Sequence, residues 1–185
     1  MEQKSNFWKS AALYGLYVGI VITLFSVILY VTGQTTNKVL GYLSVPIYFG
    51  CVFWAQIQYR NTNLNGEISY GQALGFGVAT MLFSGVISMI YTLIIYNVDP
   101  SLIEQIKAVQ EQALLAKGMS EDQVETSMKI AERFMSPSIM AISGIIGSAF
   151  IGTIISLITS FFVKRQMNED AFDEAMEEVK NEEEK

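Results

Sequence analysis

The sequence predicts an all-α fold: an integral membrane four-helix bundle that carries an extramembrane amphipathic helical hairpin. Three observations predict it. The 185 residues are 51% hydrophobic and only 16% charged, whereas average soluble domains carry roughly 25% charged residues. The charged residues are missing from four long apolar runs, and a segment with helical periodicity separates the third run from the fourth. Four such runs leave too little polar surface for a soluble domain.

Each apolar run approaches or reaches the length of about 20 residues that a helix needs to cross the hydrocarbon core. The first run follows two basic residues, Lys4 and Lys9, and this arrangement is also typical of a signal peptide. Its apolar length exceeds the usual h-region, so an uncleaved span is expected. The second run is the least apolar, because it contains Pro46 and ends in polar residues. The spans are expected at about residues 10–32, 39–57, 73–98 and 138–163.

Basic residues near the span ends indicate the orientation. Four spans place both termini on one side of the membrane, and Lys9, Arg60, Lys164 and Arg165 flank the spans on that side. Cytoplasmic segments carry an excess of Lys and Arg. The N- and C-termini are therefore predicted to be cytoplasmic.

The connection over residues 99–136 is predicted to be a helical hairpin. Asp99 and Pro100 are suited to start its first helix, and Gly118 is suited to end it. Ser120 and Gln123 have the spacing of a capping box that opens the second helix. Two interpretations are open: a lid packed over the span ends, or a docking surface.

Small residues recur at steps of four in the first and fourth spans. Such residues let helix backbones approach closely in lipid. The ladders are interpreted either as packing inside the monomer or as a self-association face. The helix-packing candidates are Gly15, Gly19, Gly144, Ser148, Gly152 and Ser156.

The most polar cluster lies between the second and third spans. Its candidates for a headgroup-binding or partner-binding loop are Arg60, Glu67, Tyr70 and Gln72, and Arg60 is placed to pair with Glu67. Loops often carry function. The plainer interpretation is an interfacial loop with ordinary anchors.

The composition argues against several functions. The chain has no histidine and one cysteine, Cys51, and no ionisable residue lies inside a span. This argues against an enzyme and against a proton-coupled transporter. No catalytic residue, cofactor or metal site is expected. The net charge of −6 does not favour nucleic acid, so the expected partners are the lipid bilayer and other membrane proteins or a second copy.

Three short stretches resemble a known family: Tyr59-Arg60, the segment Gly66–Ala73, and the segment Tyr96–Pro100. The family is an uncharacterised four-span bacterial one, of the Bacteroidota type, known as a domain of unknown function. The resemblance implies the bacterial inner (cytoplasmic) membrane and supplies no activity.

Residues 1–165 are thus predicted to form one membrane domain, and residues 166–185 an acidic cytoplasmic tail. The predicted function is that of a non-enzymatic structural or accessory subunit that acts by protein–protein association in the membrane. The alternative is an oligomeric transporter or channel component.

Overall fold

The computed structural model describes the backbone of residues 2–165 and the side chains of residues 6–165. The predicted acidic tail, residues 166–185, lies outside this range. Within it the chain forms six helices and no strand. The helices are α1 (Glu2–Val31), α2 (Lys38–Asn63), α3 (Tyr70–Val98), α4 (Ser101–Leu115), α5 (Glu121–Glu132) and α6 (Pro137–Val163).

Four of these helices, α1, α2, α3 and α6, are long and apolar enough to cross a membrane. The predicted fold class, a four-helix membrane bundle with an extramembrane hairpin, is therefore confirmed. Three helices extend by several residues beyond the predicted spans, because α1 begins at Glu2, α2 continues to Asn63 and α3 begins at Tyr70. The added residues are mostly polar or charged, so each helix is longer than its apolar part.

The bundle has two ends. Helices α1 and α3 begin, and helices α2 and α6 end, at the same end of the bundle, which we call the terminal end. The opposite end carries α4 and α5, and we call it the hairpin end. Helix α3 is central. It packs most extensively on α6 and then on α1, and it also contacts α2, whereas α1 and α6 do not meet within the described part of the chain.

Helix α2 is packed along only part of its length. Its terminal half buries Val52, Ala55 and Gln56. In its hairpin half Val39 is 78% exposed and Tyr42 is 73% exposed. The bundle is therefore closed around α2 at the terminal end and leaves α2 open to its surroundings at the hairpin end.

The small residues of α1 pack against α3. A Cβ atom built on Gly15 would lie 2.5 Å from the Cβ of Phe83 and 2.7 Å from the carbonyl oxygen of Thr80. One built on Gly19 would lie 2.7 Å from the Cβ of Ile87. Neither position has room for a side chain, so these glycines set the distance between α1 and α3.

The ladder of α6 is split between two environments. A Cβ on Gly152 would lie 2.5 Å from the Cβ of Met81. Ser148 of α6 lies against Gly85 of α3, and Ser156 of α6 lies against Gly77 of α3. Gly144 is exposed, and no described atom lies within 4 Å of the Cβ that could be added there. Three of the four α6 candidates thus pack inside the monomer.

The hairpin follows the predicted capping pattern with a small shift. Helix α4 starts at Ser101, whose backbone N–H and hydroxyl both donate to Asp99 Oδ1, at 3.1 Å and 2.6 Å. The Ser120–Gln123 capping box that opens α5 is present. In the turn between the helices Gly118 has φ +80°, a left-handed conformation that suits glycine.

Candidate functional site

The polar loop between α2 and α3 is joined to the end of α6. The Arg60 guanidinium donates through Nη1 to the carbonyl oxygen of Val163 at 3.1 Å. Ile68 and Arg165 form an isolated antiparallel bridge, with N···O distances of 2.8 Å and 3.0 Å. Arg60 thereby satisfies a carbonyl that a helix terminus leaves without an intrahelical partner.

The other residues of the predicted loop site have separate structural roles. Gln72 completes a capping box with Ser69 at the start of α3. The Tyr70 hydroxyl donates to the carbonyl oxygen of Leu157 at 3.1 Å. Glu67 is exposed, and in the described range it forms no ion pair, so the expected pair with Arg60 is not made.

A groove of about 430 Å³ lies beside this loop. Glu67 is its only ionisable lining residue, and the rest of its described lining is neutral. A lipid phosphate would meet a carboxylate there and no cation, so the groove does not suit an anionic headgroup. The arrangement is better described as a clamp that holds the loop to α6.

A buried polar cluster lies inside the terminal half of the bundle, and it includes Ser156, for which the sequence predicted a packing role only. Gln56 of α2 is fully buried. Its Nε2 donates to the carbonyl oxygen of Ala73 at 2.9 Å and to Ser160 Oγ at 3.1 Å. Ser156 Oγ and Gln56 Nε2 both lie beside the Cα of Gly77, which has no side chain to separate them. Helices α2, α3 and α6 are thus joined by polar contacts at one level.

Further hydroxyl groups continue from this cluster along α3. Thr80 and Ser84 are buried, and Ser88 is partly buried, on successive turns of that helix. The hydroxyls of Thr80 and Ser84 have no hydrogen-bond partner among the described residues, and that of Ser88 has the Tyr48 hydroxyl as its neighbour. The four-residue spacing of these hydroxyls is visible in the sequence, but it does not reveal which way the row faces.

The second candidate site is the groove between α4 and α5, with a volume of about 700 Å³. Its lining includes the apolar residues Leu115, Val124 and Met128. Around them stand five carboxylates and two ammonium groups: Glu104, Glu111, Glu121, Glu125, Glu132, Lys107 and Lys129.

Both lysines of this groove are already paired. Lys107 Nζ lies 3.2 Å from Glu104 and 3.3 Å from Glu132, which ties α4 to the end of α5. Lys129 Nζ lies 2.6 Å from Glu125. The pKa of Lys107 is raised by its hydrogen bond to Glu104 and, to a lesser extent, by its hydrogen bond to Glu132. The pKa of Glu125 is lowered by its hydrogen bond with Lys129. The groove therefore presents a net negative rim.

No metal site accompanies these features among the described side chains of residues 6–165, since no group of three His, Cys, Asp or Glu residues there could hold an ion. The chemistry that the described part of the chain offers consists of neutral hydrogen-bonding groups inside the bundle and an acidic, partly apolar groove outside it.

The comparisons with known proteins place the chain in one family. No curated protein and no solved structure matches it. The family model described as "Protein of unknown function (DUF4199)" matches residues 13–165, a range that begins within α1 and ends just after α6. The expected membership of a family of unknown function is thereby confirmed. Since this match covers most of the 185 residues, the chain belongs to the DUF4199 family of proteins of unknown function.

Proposed function

We propose that the protein is a non-enzymatic accessory subunit that acts by protein–protein association, and that its α4–α5 hairpin binds the partner. The observation that carries this proposal is the position of the hairpin. Within the described chain α5 contacts α4 but none of the four spans, and α4 contacts the spans only at α3. A lid would cover the span ends, whereas this hairpin leaves most of its surface free.

The hairpin surface has the composition of a binding site. Its apolar residues Ile130 and Phe134 are 58% and 62% exposed. They add to the apolar residues Leu115, Val124 and Met128 that line the groove, whose rim is acidic. Complementary charge selects a partner and speeds its approach, while buried apolar side chains supply much of the affinity. The partner that fits is an amphipathic segment whose apolar residues are flanked by Lys or Arg.

The proposed setting is the bacterial inner membrane, with the termini in the cytoplasm and the hairpin in the periplasm. The distribution of basic residues supports this orientation. Lys9, Arg60, Lys164 and Arg165 directly flank the spans at the terminal end, and Lys38 and Arg133 flank them at the hairpin end, where Lys107, Lys117 and Lys129 lie farther from the spans. Labelling of a cysteine placed at Ser120 in intact cells by a membrane-impermeant reagent tests it. Failure at Ser120, with labelling at residue 180 from outside, would contradict the orientation.

A peptide titration tests the hairpin as a binding site. The probe is a synthetic amphipathic helix with Leu on one face and Lys on the other, and its control carries Glu in place of Lys. We expect NMR shift changes at Met128 and Val124 with the Lys peptide only. The variant Glu111→Lys/Glu121→Lys should reverse the preference. Equal binding of both peptides, or shifts confined to the spans, would contradict the proposal.

A second candidate, an oligomeric transporter or channel component, is favoured by the hydroxyl row inside the bundle. The pure protein in liposomes distinguishes the two. Absence of ion and solute flux, together with loss of partner recovery when residues 101–132 are replaced by a Gly/Ser linker, supports the accessory subunit. Reproducible flux supports the transporter instead.

A further inference from the structure

We propose that the interior of the bundle is a hydration site, in which ordered water molecules bind the buried side chains between Gln56 and Ser88. This inference concerns the membrane domain and does not depend on the role of the hairpin. Its starting point is a set of buried oxygen atoms without a hydrogen-bond partner among the described residues. They are Thr23 Oγ1, Gln56 Oε1, Thr80 Oγ1, Ser84 Oγ and Ser156 Oγ; Ser88 Oγ, whose neighbour is the Tyr48 hydroxyl, continues the series.

These atoms differ from the other hydroxyls of the same helices. Thr153, which is exposed, donates to the carbonyl oxygen of Ala149 at 2.8 Å, and Thr92 donates to that of Ser88 at 2.8 Å. Such a bond to the preceding turn is the local way for a Ser or Thr to satisfy its hydroxyl in a helix. The interior hydroxyls of Thr80, Ser84 and Ser156 do not make it. Their oxygens therefore need another partner.

The interior atoms also form a continuous series. Thr80, Ser84 and Ser88 follow one another by one helical turn, which is about 5.4 Å. Ser156 lies against Gly77, which is less than one helical turn from Thr80 on the side of the terminal end. The side chain of Gln56 lies beside the same glycine. At the other end of the series the hairpin half of α2 is exposed. The series therefore extends from Gln56 toward the hairpin end of the bundle.

The chemistry of the series favours water over an ion. All of its groups are neutral, and no Asp, Glu, Lys, Arg or His lies among the interior residues of the spans. A charge held there would lack a counter-charge, which is costly in a membrane. A buried water typically makes about three hydrogen bonds, and unlike an ion it can donate to Gln56 Oε1 while it accepts from a hydroxyl. Leaving these atoms unpaired would be destabilising, because a buried polar atom without a partner loses its hydration and gains no hydrogen bond.

The sign of a stability change distinguishes a hydrated interior from a dry one. Thr80→Val keeps the shape of the side chain and removes the hydroxyl. If water binds there, the variant loses those hydrogen bonds, and we expect Tm in detergent to fall by roughly 2–4 °C. In a dry interior the same change removes an unpaired polar atom and raises Tm. The matched control is Thr153→Val, whose hydroxyl is exposed and bonded to Ala149.

A direct measurement detects the water itself. Water-to-protein NOE spectra of the 15N-Gln-labelled protein should contain a cross-peak at the Gln56 side-chain amide, and Gln56→Leu identifies that peak by its loss. A cross-peak together with a lower Tm for Thr80→Val supports the proposal. An amide without a cross-peak, a higher Tm for Thr80→Val, or a Tm of the parent protein that rises specifically with Na⁺ would overturn it.

Discussion

The α3–α6 pair and the α4–α5 hairpin are both pairs of antiparallel helices, yet they are held together in different ways. Helices α3 and α6 meet over small residues, such as Gly77 against Ser156 and Gly152 against Met81. Helices α4 and α5 use one buried valine, a capping box and a salt bridge between Lys107 and Glu132. The first pair depends on close backbone approach, and the second on apolar burial and polar contacts.

The difference follows from the medium that each pair occupies. In lipid an apolar side chain gains little free energy when it moves from the acyl chains to a neighbouring helix. Helix association there depends on close packing and on hydrogen bonds between helices. In water the burial of Val124 and Leu102 removes apolar surface from the solvent, and caps prevent fraying. A given substitution should therefore affect one pair and leave the other unchanged.

The largest expected effect is in the membrane pair. Gly152→Leu places a side chain where a Cβ alone would already lie 2.5 Å from Met81. Overpacking of this kind typically destabilises by about 1–3 kcal/mol, and more when the backbones must separate. Unfolding of the detergent-solubilised protein in SDS measures it. Gly144→Leu is the control, since Gly144 is exposed; if both variants behave alike, close packing does not hold α3 to α6.

The next effect is confined to the hairpin. Val124 is 4% exposed, and Val124→Ser should reduce the local stability of α4 and α5 by about 2 kcal/mol. Hydrogen exchange at the hairpin amides should accelerate by more than tenfold, while amides of α3 and α6 keep their rates. Faster exchange in the spans as well would mean that the two pairs unfold together.

A smaller effect is expected at the capping box. In Ser120→Ala the N–H of Gln123 loses its acceptor, which typically costs about 1 kcal/mol. The exchange of α5 amides should rise about fivefold. Ser120→Asp retains an acceptor and should restore the parent rates; if it does not, the cap is not the cause.

The smallest effect is a response to acid. The hydrogen bond from the Ser101 hydroxyl is the main cause that lowers the pKa of Asp99, and Lys129 lowers that of Glu125. A carboxylate with a lowered pKa stabilises the folded state when the pH is above the ordinary carboxyl pKa, about 4. This stabilisation is lost as the pH falls below that value. Circular dichroism between pH 6 and pH 3 should report a slight loss of helix from the hairpin, whereas near-ultraviolet signals of the spans stay constant.

Local rules explain which parts of the fold the sequence predicts. The Ser120–Gln123 and Asp99–Ser101 contacts join residues two or three positions apart, so their spacing is enough to predict them. The four spans are similarly evident from their missing charges.

Contacts between helices that are far apart in the sequence could not be predicted in this way. Arg60 bonds to Val163 rather than to Glu67, and Gln56 turns inward to Ser160. Both outcomes depend on how each helix is rotated about its axis. A span that is apolar on every side carries little information about that rotation, because no face of it prefers water. The hydroxyl row of Thr80 and Ser84 could be seen in the sequence, but its direction could not.

The bridge between Ile68 and Arg165 has a mechanical consequence. Arg165 is the last described residue, and two backbone hydrogen bonds tie it to the loop between α2 and α3. Tension applied to the chain beyond this point is therefore shared by α6 and by that loop. Since Arg60 also bonds to Val163, the load spreads to α2 as well. A partner that pulls on the C-terminal segment would strain three helices together, rather than drawing α6 alone out of the bundle.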